Sequence, residues 1–301
     1  MTDHPLVSVI IPCYNAVRFI RSSVASAFAQ SYPSIEVIVV DDGSTDGTYE
    51  CLVESRKEQF PNLRLLTHEG RTNFGVSTSR YRGAEAASGE FIAFLDADDE
   101  FEPDKIEKQI QVLRRHPDVV LCHTAVKVIG DRSSASRYEV SFSKHGAEPY
   151  YFRRLAGYLR CNCICASSVL VRADILRKVP YAMPQLFQYE DWLCWSLVSA
   201  YGKFVFLDEK LIRYRVHEGS ATAAVNRSQL RAKYSLLEMK LALAVRSESI
   251  WHCGRCLMSA GLTGLGLLNT YVYAKDYPAI DGDKNINLLT RTLVAVARGR
   301  R

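Results

Sequence analysis

The chain has 301 residues, 48% of them hydrophobic and 24% charged, with a formal net charge of +5. That length supports one large domain, or one domain with an appendage, around a sizeable core. So small a basic excess, with no long basic run before the Arg298-Gly299-Arg300-Arg301 end, argues against a nucleic-acid partner. The tail reads as a solvated terminus with a weak attraction to an anionic membrane surface.

In chain order, the β-branched run at 7–11 predicts a buried strand. It leads through Pro12-Cys13-Tyr14-Asn15 into a helical stretch with Phe19, Val24, Ala27 and Phe28 on its apolar face. A second strand at 35–40 ends in Asp41, and Asp46-Gly47-Thr48 opens the next helix, capped by Asp46. A third strand falls at 63–67 and a third helix at 75–87. The run 91–95 is a fourth strand ending at Asp96. A helix at 103–115 has Pro103 in its first turn, and a fifth strand follows at 119–122. After Gly130 the pattern loosens: a polar loop to 149, extended chain at 161–171, a helix at 191–200 with Trp192, Trp195 and Val198 on one face, and short strands at 204–207 and 211–216. From 221 onward the chain reads as mostly helical. The expected organisation is an α/β domain over 1–220 and a C-terminal helical extension over 221–301.

Strands alternating with helices specify a mostly parallel sheet covered on both faces, with ligands bound beyond the carboxyl ends of the strands. Three of these strands end in polar motifs, Pro12-Cys13-Tyr14-Asn15, Asp41-Asp42-Gly43-Ser44 and Asp96-Ala97-Asp98-Asp99, so the three should open on one edge and describe one site.

Nine cysteines, an odd number, and a start without a basic stretch or cleavage site lead us to expect free thiols in a reducing cytoplasm. Cys161, Cys163 and Cys165 alternate and should share one core-facing side of a strand; zinc ligands come instead as Cys-x-x-Cys pairs. Cys253 and Cys256 form such a pair but have no second pair at zinc spacing. No segment reaches about twenty uninterrupted apolar residues, the length that spans a bilayer. The nearest, 256–273, is broken by Ser259, Thr263, Asn269 and Thr270 and reads as a packed helix.

Two acidic clusters carry the chemistry. Asp41-Asp42-Gly43-Ser44-Thr45-Asp46-Gly47-Thr48 is compatible with a turn and helix cap, or with nucleoside recognition by carboxylates that accept hydrogen bonds from a base or ribose. A calcium loop is rejected, because Val53 stands where a bidentate glutamate is required. In Asp96-Ala97-Asp98-Asp99 three carboxylates repel one another at the end of a buried strand, which favours a neutralising cation; hard oxygen ligands suit magnesium or manganese shared with substrate phosphates.

Taken together, 9–15, 39–46, Asn73-Phe74-Gly75, Ser79-Arg80, 89–99, Glu190-Asp191-Trp192 and 214–220 resemble, in order and spacing, the family 2 glycosyltransferases. The resemblance implies a GT-A fold and an inverting, metal-dependent transfer from a nucleoside diphosphate sugar, uridine by family habit, to a saccharide or lipid-linked acceptor in cell-surface polysaccharide or glycoconjugate synthesis. It implies a cytoplasmic protein, or one peripheral on the inner face of the cell membrane. By position, Pro12, Tyr14 and Asp42 line the nucleoside pocket with Asp41 beside them, and Asn15, Arg80 and Ala97 join the donor side. Asp96 lies near ribose or sugar, Asp98 binds Mn2+ or Mg2+, His217 approaches the metal or diphosphate, and Asp191 is the general base. Glu190 is expected to point about 100° away from Asp191 around the helix. Leu193 and Leu197 depart from the acid and arginine that family members often carry there. The glutamine-arginine-tryptophan motif of processive synthases is absent, so single-sugar transfer is expected. A sugar-phosphate nucleotidyltransferase lacks support because Pro12-Cys13-Tyr14-Asn15 replaces its glycine-rich basic loop, and an oxidoreductase because Gly-x-Gly-x-x-Gly is missing. A non-catalytic sugar-nucleotide module is the remaining alternative.

Overall fold

A computed structural model of the chain describes residues 4–130, 164–179, 190–199 and 201–218. The expected helical extension over 221–301, the cysteine pair within it, Cys161, Cys163 and most of the expected acceptor segment lie outside them.

The elements follow the predicted order. Strand β1 (Val7–Cys13) leads to helix α1 (Ile20–Phe28), β2 (Ile35–Asp41) to α2 (Thr48–Glu58), and β3 (Arg64–Thr67) to α3 (Val76–Ala86). Then come β4 (Phe91–Phe94), β5 (Glu100–Phe101), α4 (Lys105–Arg115) and β6 (Val119–Gly130). Strand β7 (Leu170–Arg172), the short α5 (Ala173–Leu176), α6 (Glu190–Val198) and β8 (Lys203–Val216) complete the described chain. They build an eight-stranded sheet in the order β3-β2-β1-β4-β7-β6-β8-β5.

The β-branched runs of β1 and β2 and the apolar β4 form the buried centre of a parallel core, with the half-buried β3 beside β2. Alternate residues point to opposite faces. Val9, Ile11, Val37 and Val39 pack with Ile20 and Val24 of α1, Leu52 of α2 and Ile106, Ile110 and Leu113 of α4. Ile10, Ile38, Val40, Ile92 and Phe94 pack with Ala84 of α3, Leu176 of α5 and Trp195 and Val198 of α6. Helix α3 lies close to β1 because Gly83 has no side chain; a Cβ there would stand 2.4 Å from Ile10 Cγ2. With β1, β2 and β4 mutually parallel, their polar carboxyl ends do open on one edge.

Four local expectations change. The strand expected at 119–122 runs on to Gly130, and the two short strands expected at 204–207 and 211–216 are a single β8, paired with β6 in parallel through register shifts between Thr124 and Val126. Strand β7 enters antiparallel between β4 and β6, so the second half of the sheet is mixed. Phe19 does not face the core. It precedes α1 with its ring 4.7 Å from that of His217, because the helix buries Ile20, Ser23, Val24 and Ala27 instead.

One core residue breaks the apolar pattern. Lys105 opens α4 with no exposure, its Nζ donating to Gln109 Oε1 at 2.8 Å and lying 4.2 Å from the centre of the Phe101 ring. Burial without a carboxylate partner pushes this amine down from 10.5 to about 7. The unfolded chain therefore holds a proton that the folded chain releases between those values, and stability contributed at this site rises with pH across that window. Urea unfolding of wild type and Lys105→Met from pH 6 to 10 should show wild type gaining on the variant above pH 7, by an amount on the order of a few kcal/mol; parallel pH curves would show that the amine stays charged in the fold.

Candidate active site

The β1 and β2 ends are stitched together by short polar side chains. Asn15 takes a positive φ of 50°, and its amide oxygen accepts the Thr45 N–H at 2.8 Å while its own N–H donates to Ser44 Oγ at 3.0 Å. Asp46 accepts the Thr48 N–H at 3.0 Å and the Val17 N–H at 3.1 Å, which holds the first turn of α2 against the β1 loop. Gly43 adopts φ +75° beneath the Arg71 carbonyl, where a Cβ would meet that oxygen at 2.4 Å. Pro12 is buried at the end of β1, and Tyr14 beyond it is 51% exposed.

Asp41 and Asp42 are both buried. An Asp41 oxygen accepts the Ser44 N–H at 3.3 Å within the turn. Asp42 reaches across to the β3–α3 loop, taking the Phe74 N–H at 2.7 Å and the Gly75 N–H at 2.9 Å on separate oxygens. His68 Nε2 stands 3.5 Å from the same carboxylate and 2.8 Å from Ser79 Oγ. Burial pushes the Asp42 carboxyl up, and the two backbone donors oppose it. Burial likewise lowers His68. Tyr14 and Phe74, the latter 48% exposed, leave two aromatic rings in solvent on the loops that flank Asp42.

The second cluster divides its three carboxylates among different partners. Asp99 is buried and accepts Ser167 Oγ–H at 2.6 Å and the Arg215 N–H at 2.9 Å, so it ties the β4 end to β7 and β8. Ser23 Oγ on α1 lies 2.5 Å from the Asp99 carbonyl oxygen and 2.9 Å from that of Ala97, which is itself buried. Burial, then the charges of Asp98 and Asp96, push the Asp99 carboxyl well up. Asp98 projects outward, its Oδ2 3.0 Å from His217 Nε2, with both side chains a little over one-quarter exposed. Its carboxyl is also raised, by burial first and Asp96 second, against the His217 bond. Arg215 secures this loop: Nε donates to the Asp98 carbonyl at 2.8 Å and Nη2 to Glu100 at 2.6 Å.

Asp96 faces elsewhere. Its Oδ1 takes Arg80 Nη2 at 2.5 Å, and the other terminal nitrogen of Arg80 donates to Glu190 Oε1 at 2.8 Å. Asp191 follows Glu190 in the first turn of α6, with one oxygen 2.7 Å from the Trp192 N–H. Ser77, Arg80, Phe94, Glu190, Asp191, Cys194 and Trp195 line one cleft between α3 and α6. Glu190, expected to point away from the chemistry, is instead part of the same wall. The carboxyl ends of β1, β2 and β4, the β8 terminus and the start of α6 thus form a single acidic edge.

Comparison with known proteins agrees. Residues 8–179 match the sequence model described as Glycosyl transferase family 2. The chain belongs to glycosyl transferase family 2. An uncharacterized glycosyltransferase of Haemophilus influenzae is 30% identical over 234 residues, 76% of this chain and 71% of that protein. Among solved structures, this glycosyltransferase shares its fold with S. aureus TarS 1–349, at a TM-score of 0.66 and 20% identity over 91% of this chain and 76% of that one; TarS 1–349 has also been solved in complex with UDP-GlcNAc. The mannosyltransferase PcManGT from Pyrobaculum calidifontis, in complex with GDP-Man and Mn2+, superimposes with a TM-score of 0.61 at 20% identity, covering 98% of this chain and 81% of that one. The eight-stranded sheet with its flanking helices is the GT-A fold of these enzymes.

The glycosyltransferase offers a cation an incomplete set of ligands. Asp98 and His217 would supply one carboxylate oxygen and one imidazole nitrogen; the oxygen suits Mn2+ or Mg2+, and the imidazole is a softer donor than Mg2+ prefers. Among the described residues no group of three or more His, Cys, Asp or Glu side chains converges as a metal cage. A cation held here would take its other positions from phosphate oxygens and water, as such ions do.

His68, Ser167, Glu190 and Arg215 were not assigned roles from sequence. His68 and Ser167 stand outside every motif and act through contacts that are distant along the chain. Arg215 sits inside the 214–220 motif and Glu190 beside the expected base, so both were within reach. The Asp99 knot yields a direct expectation. Asp99→Ala leaves Ser167 Oγ and the Arg215 N–H without their partner, and leaving a buried donor unsatisfied costs about 1–3 kcal/mol. Urea denaturation should show a loss of about that size or more for Asp99→Ala and a smaller one for Asp99→Asn, which keeps the shape; equal stabilities would mean that the knot is solvent-compensated.

Proposed function

We propose that the enzyme catalyses inverting transfer of a single sugar from a nucleoside diphosphate sugar, UDP-linked by preference, to an acceptor hydroxyl in cell-surface polysaccharide or glycoconjugate synthesis. The observation that supports this reading most is that Arg80 bridges the donor-side acid Asp96 to Glu190, the neighbour of Asp191 in the chain, while Arg80, Glu190 and Asp191 line one cleft. The UDP-GlcNAc bound by TarS and the GDP-Man with Mn2+ bound by PcManGT support a nucleoside diphosphate sugar as the donor.

In this scheme Tyr14 and Phe74 enclose the nucleobase above Asp42, whose free lone pairs accept a base or ribose donor. Pro12, Asn15 and Asp41 shape the floor, and the Ala97 backbone and Asp96 border ribose and sugar. Asp98 and His217 hold a divalent cation, which when bound neutralises the leaving diphosphate so that no acid need protonate it. Asp191 takes the acceptor hydroxyl proton as that oxygen attacks the anomeric carbon from the face opposite the diphosphate; one displacement inverts the configuration and needs no covalent nucleophile.

Two expectations follow. Asp98→Asn keeps the shape and weakens the ligand field, so UDP titrated calorimetrically in the presence of Mn2+ should bind to this variant as weakly as to wild type in a chelator. Full Mn2+-dependent affinity in Asp98→Asn would remove the metal assignment. Asp191→Asn preserves size and hydrogen bonding but loses basicity. Single-turnover release of UDP from UDP-GlcNAc, with water or a saccharide as acceptor, should fall by about 10²–10⁴ while UDP affinity stays near wild type; a retained rate places the base elsewhere.

A further inference from the structure

Arg80 occupies an unusual position for a donor-side residue. It leaves α3 almost wholly buried, with its guanidinium split between carboxylates on different walls: Asp96 after β4 and Glu190 at the start of α6. The sheet provides no direct link between those walls, since β4 pairs only with β1 and β7. The third guanidinium nitrogen, Nε, is buried and has no hydrogen-bond partner among the described residues. The orientation of the guanidinium is therefore set by the two carboxylates and not by filling all of its donors. Glu190 is equally enclosed, and burial with the Asp191 charge pushes its carboxyl up to about 7.

We propose that Arg80 and Glu190 form a charge clamp that positions Asp191 against the donor-side acid Asp96 and sets its basicity. The inference rests on Asp191 being the base. Among the described residues, Arg80 on α3, Glu190 and Cys194 on α6 itself and Cys165 before β7 interact electrostatically with Asp191, and Asp96 acts on Arg80 and Glu190 from the β4 end. Burial keeps both thiols in their protonated, uncharged form. Within this group Glu190, when ionised, makes Asp191 a stronger base, and Arg80 makes it a weaker one. The geometry matters as much as the charge. A guanidinium reaches two carboxylates in a fixed fork, whereas an ammonium on a flexible stem does not. The distance between the start of α6 and the β4 end is thus held by Arg80, and small misplacements of a reacting group cost about 10²-fold in rate.

The test titrates Asp191 directly in the full chain, by carbon-13 NMR of protein labelled at the aspartate carboxyl, with the resonance assigned by its loss in Asp191→Asn. Arg80→Met removes the cation and should raise the Asp191 titration by about one pH unit; Glu190, with its carboxyl at about 7, is uncharged where an ordinary aspartate titrates, so Glu190→Gln should not raise it. An Asp191 titration unmoved or lowered in Arg80→Met, or raised in Glu190→Gln, overturns the clamp. If Arg80→Met does not fold, the rate and UDP affinity of Arg80→Lys decide alone. Arg80→Lys keeps the charge and loses the fork, so it should titrate near wild type yet release UDP from UDP-GlcNAc with Mn2+ about 10²-fold more slowly at unchanged UDP affinity. A fall in UDP affinity that matches the rate loss would make Arg80 a donor ligand and refute its positioning role. The base reading fails separately: if Asp191→Asn keeps the wild-type rate while the titrations shift as expected, the clamp stands and the base is another group.

Discussion

Carboxylates gathered at the desolvated edge of a hydrophobic sheet are the constraint from which the architecture of this site follows. A charged acid next to a buried strand is costly unless it is paired or hydrogen-bonded. Each acid here is accommodated differently. Asp42 is held by two backbone N–H groups from the β3–α3 loop, Asp99 by Ser167 Oγ and the Arg215 N–H, Asp96 and Glu190 by the fork of Arg80, and Asp98 by His217. The partners differ because the tasks differ. Fully enclosed Asp99 is cross-linking structure, whereas Asp98 remains partly open, as its proposed role as a cation ligand requires.

The same pairings tie remote chain segments to one edge. Strand β8 ends at the acidic loop because Arg215 fastens it there through the Asp98 carbonyl, the Asp99 carboxylate and Glu100. That attachment brings His217 to Asp98 and presents Phe19, whose ring lies 4.7 Å from the imidazole and 5.0 Å from the Arg215 guanidinium carbon. The loops after β1, β2 and β4 and the start of α6 are thus linked by polar contacts in addition to the apolar core. Such links are directional and adjustable in strength, which suits the donor and acceptor sides proposed for this site.

Much of this was legible in the chain itself. Alternating strand and helix patterns specified a mostly parallel sheet, though not its β3-β2-β1-β4 order, and motifs at three strand ends marked the edge proposed to carry the site. Asp41, Asp42, Asp96, Asp98 and Asp191 could be selected because their spacing to those strands is local information. The mixed half of the sheet was not legible: β7 is three residues long, and its antiparallel insertion between β4 and β6 depends on pairing partners far apart along the chain.

Which carboxylate does which task was decided only in three dimensions. Asp96, Asp98 and Asp99 are near-equivalent in sequence, yet one meets Arg80, one His217 and one Ser167, because successive residues of a tight turn point in different directions and meet different elements. Phe19 has the spacing of a core residue and sits instead beside His217. Glu190 has the spacing of a residue turned away from the base, and it is buried against Arg80, 110 positions earlier in the chain. Periodicity reports which side of an element is apolar; it carries no information about which charged group from another element will stand opposite. That assignment is a property of the packed tertiary structure, where burial makes each charge depend on its nearest partner.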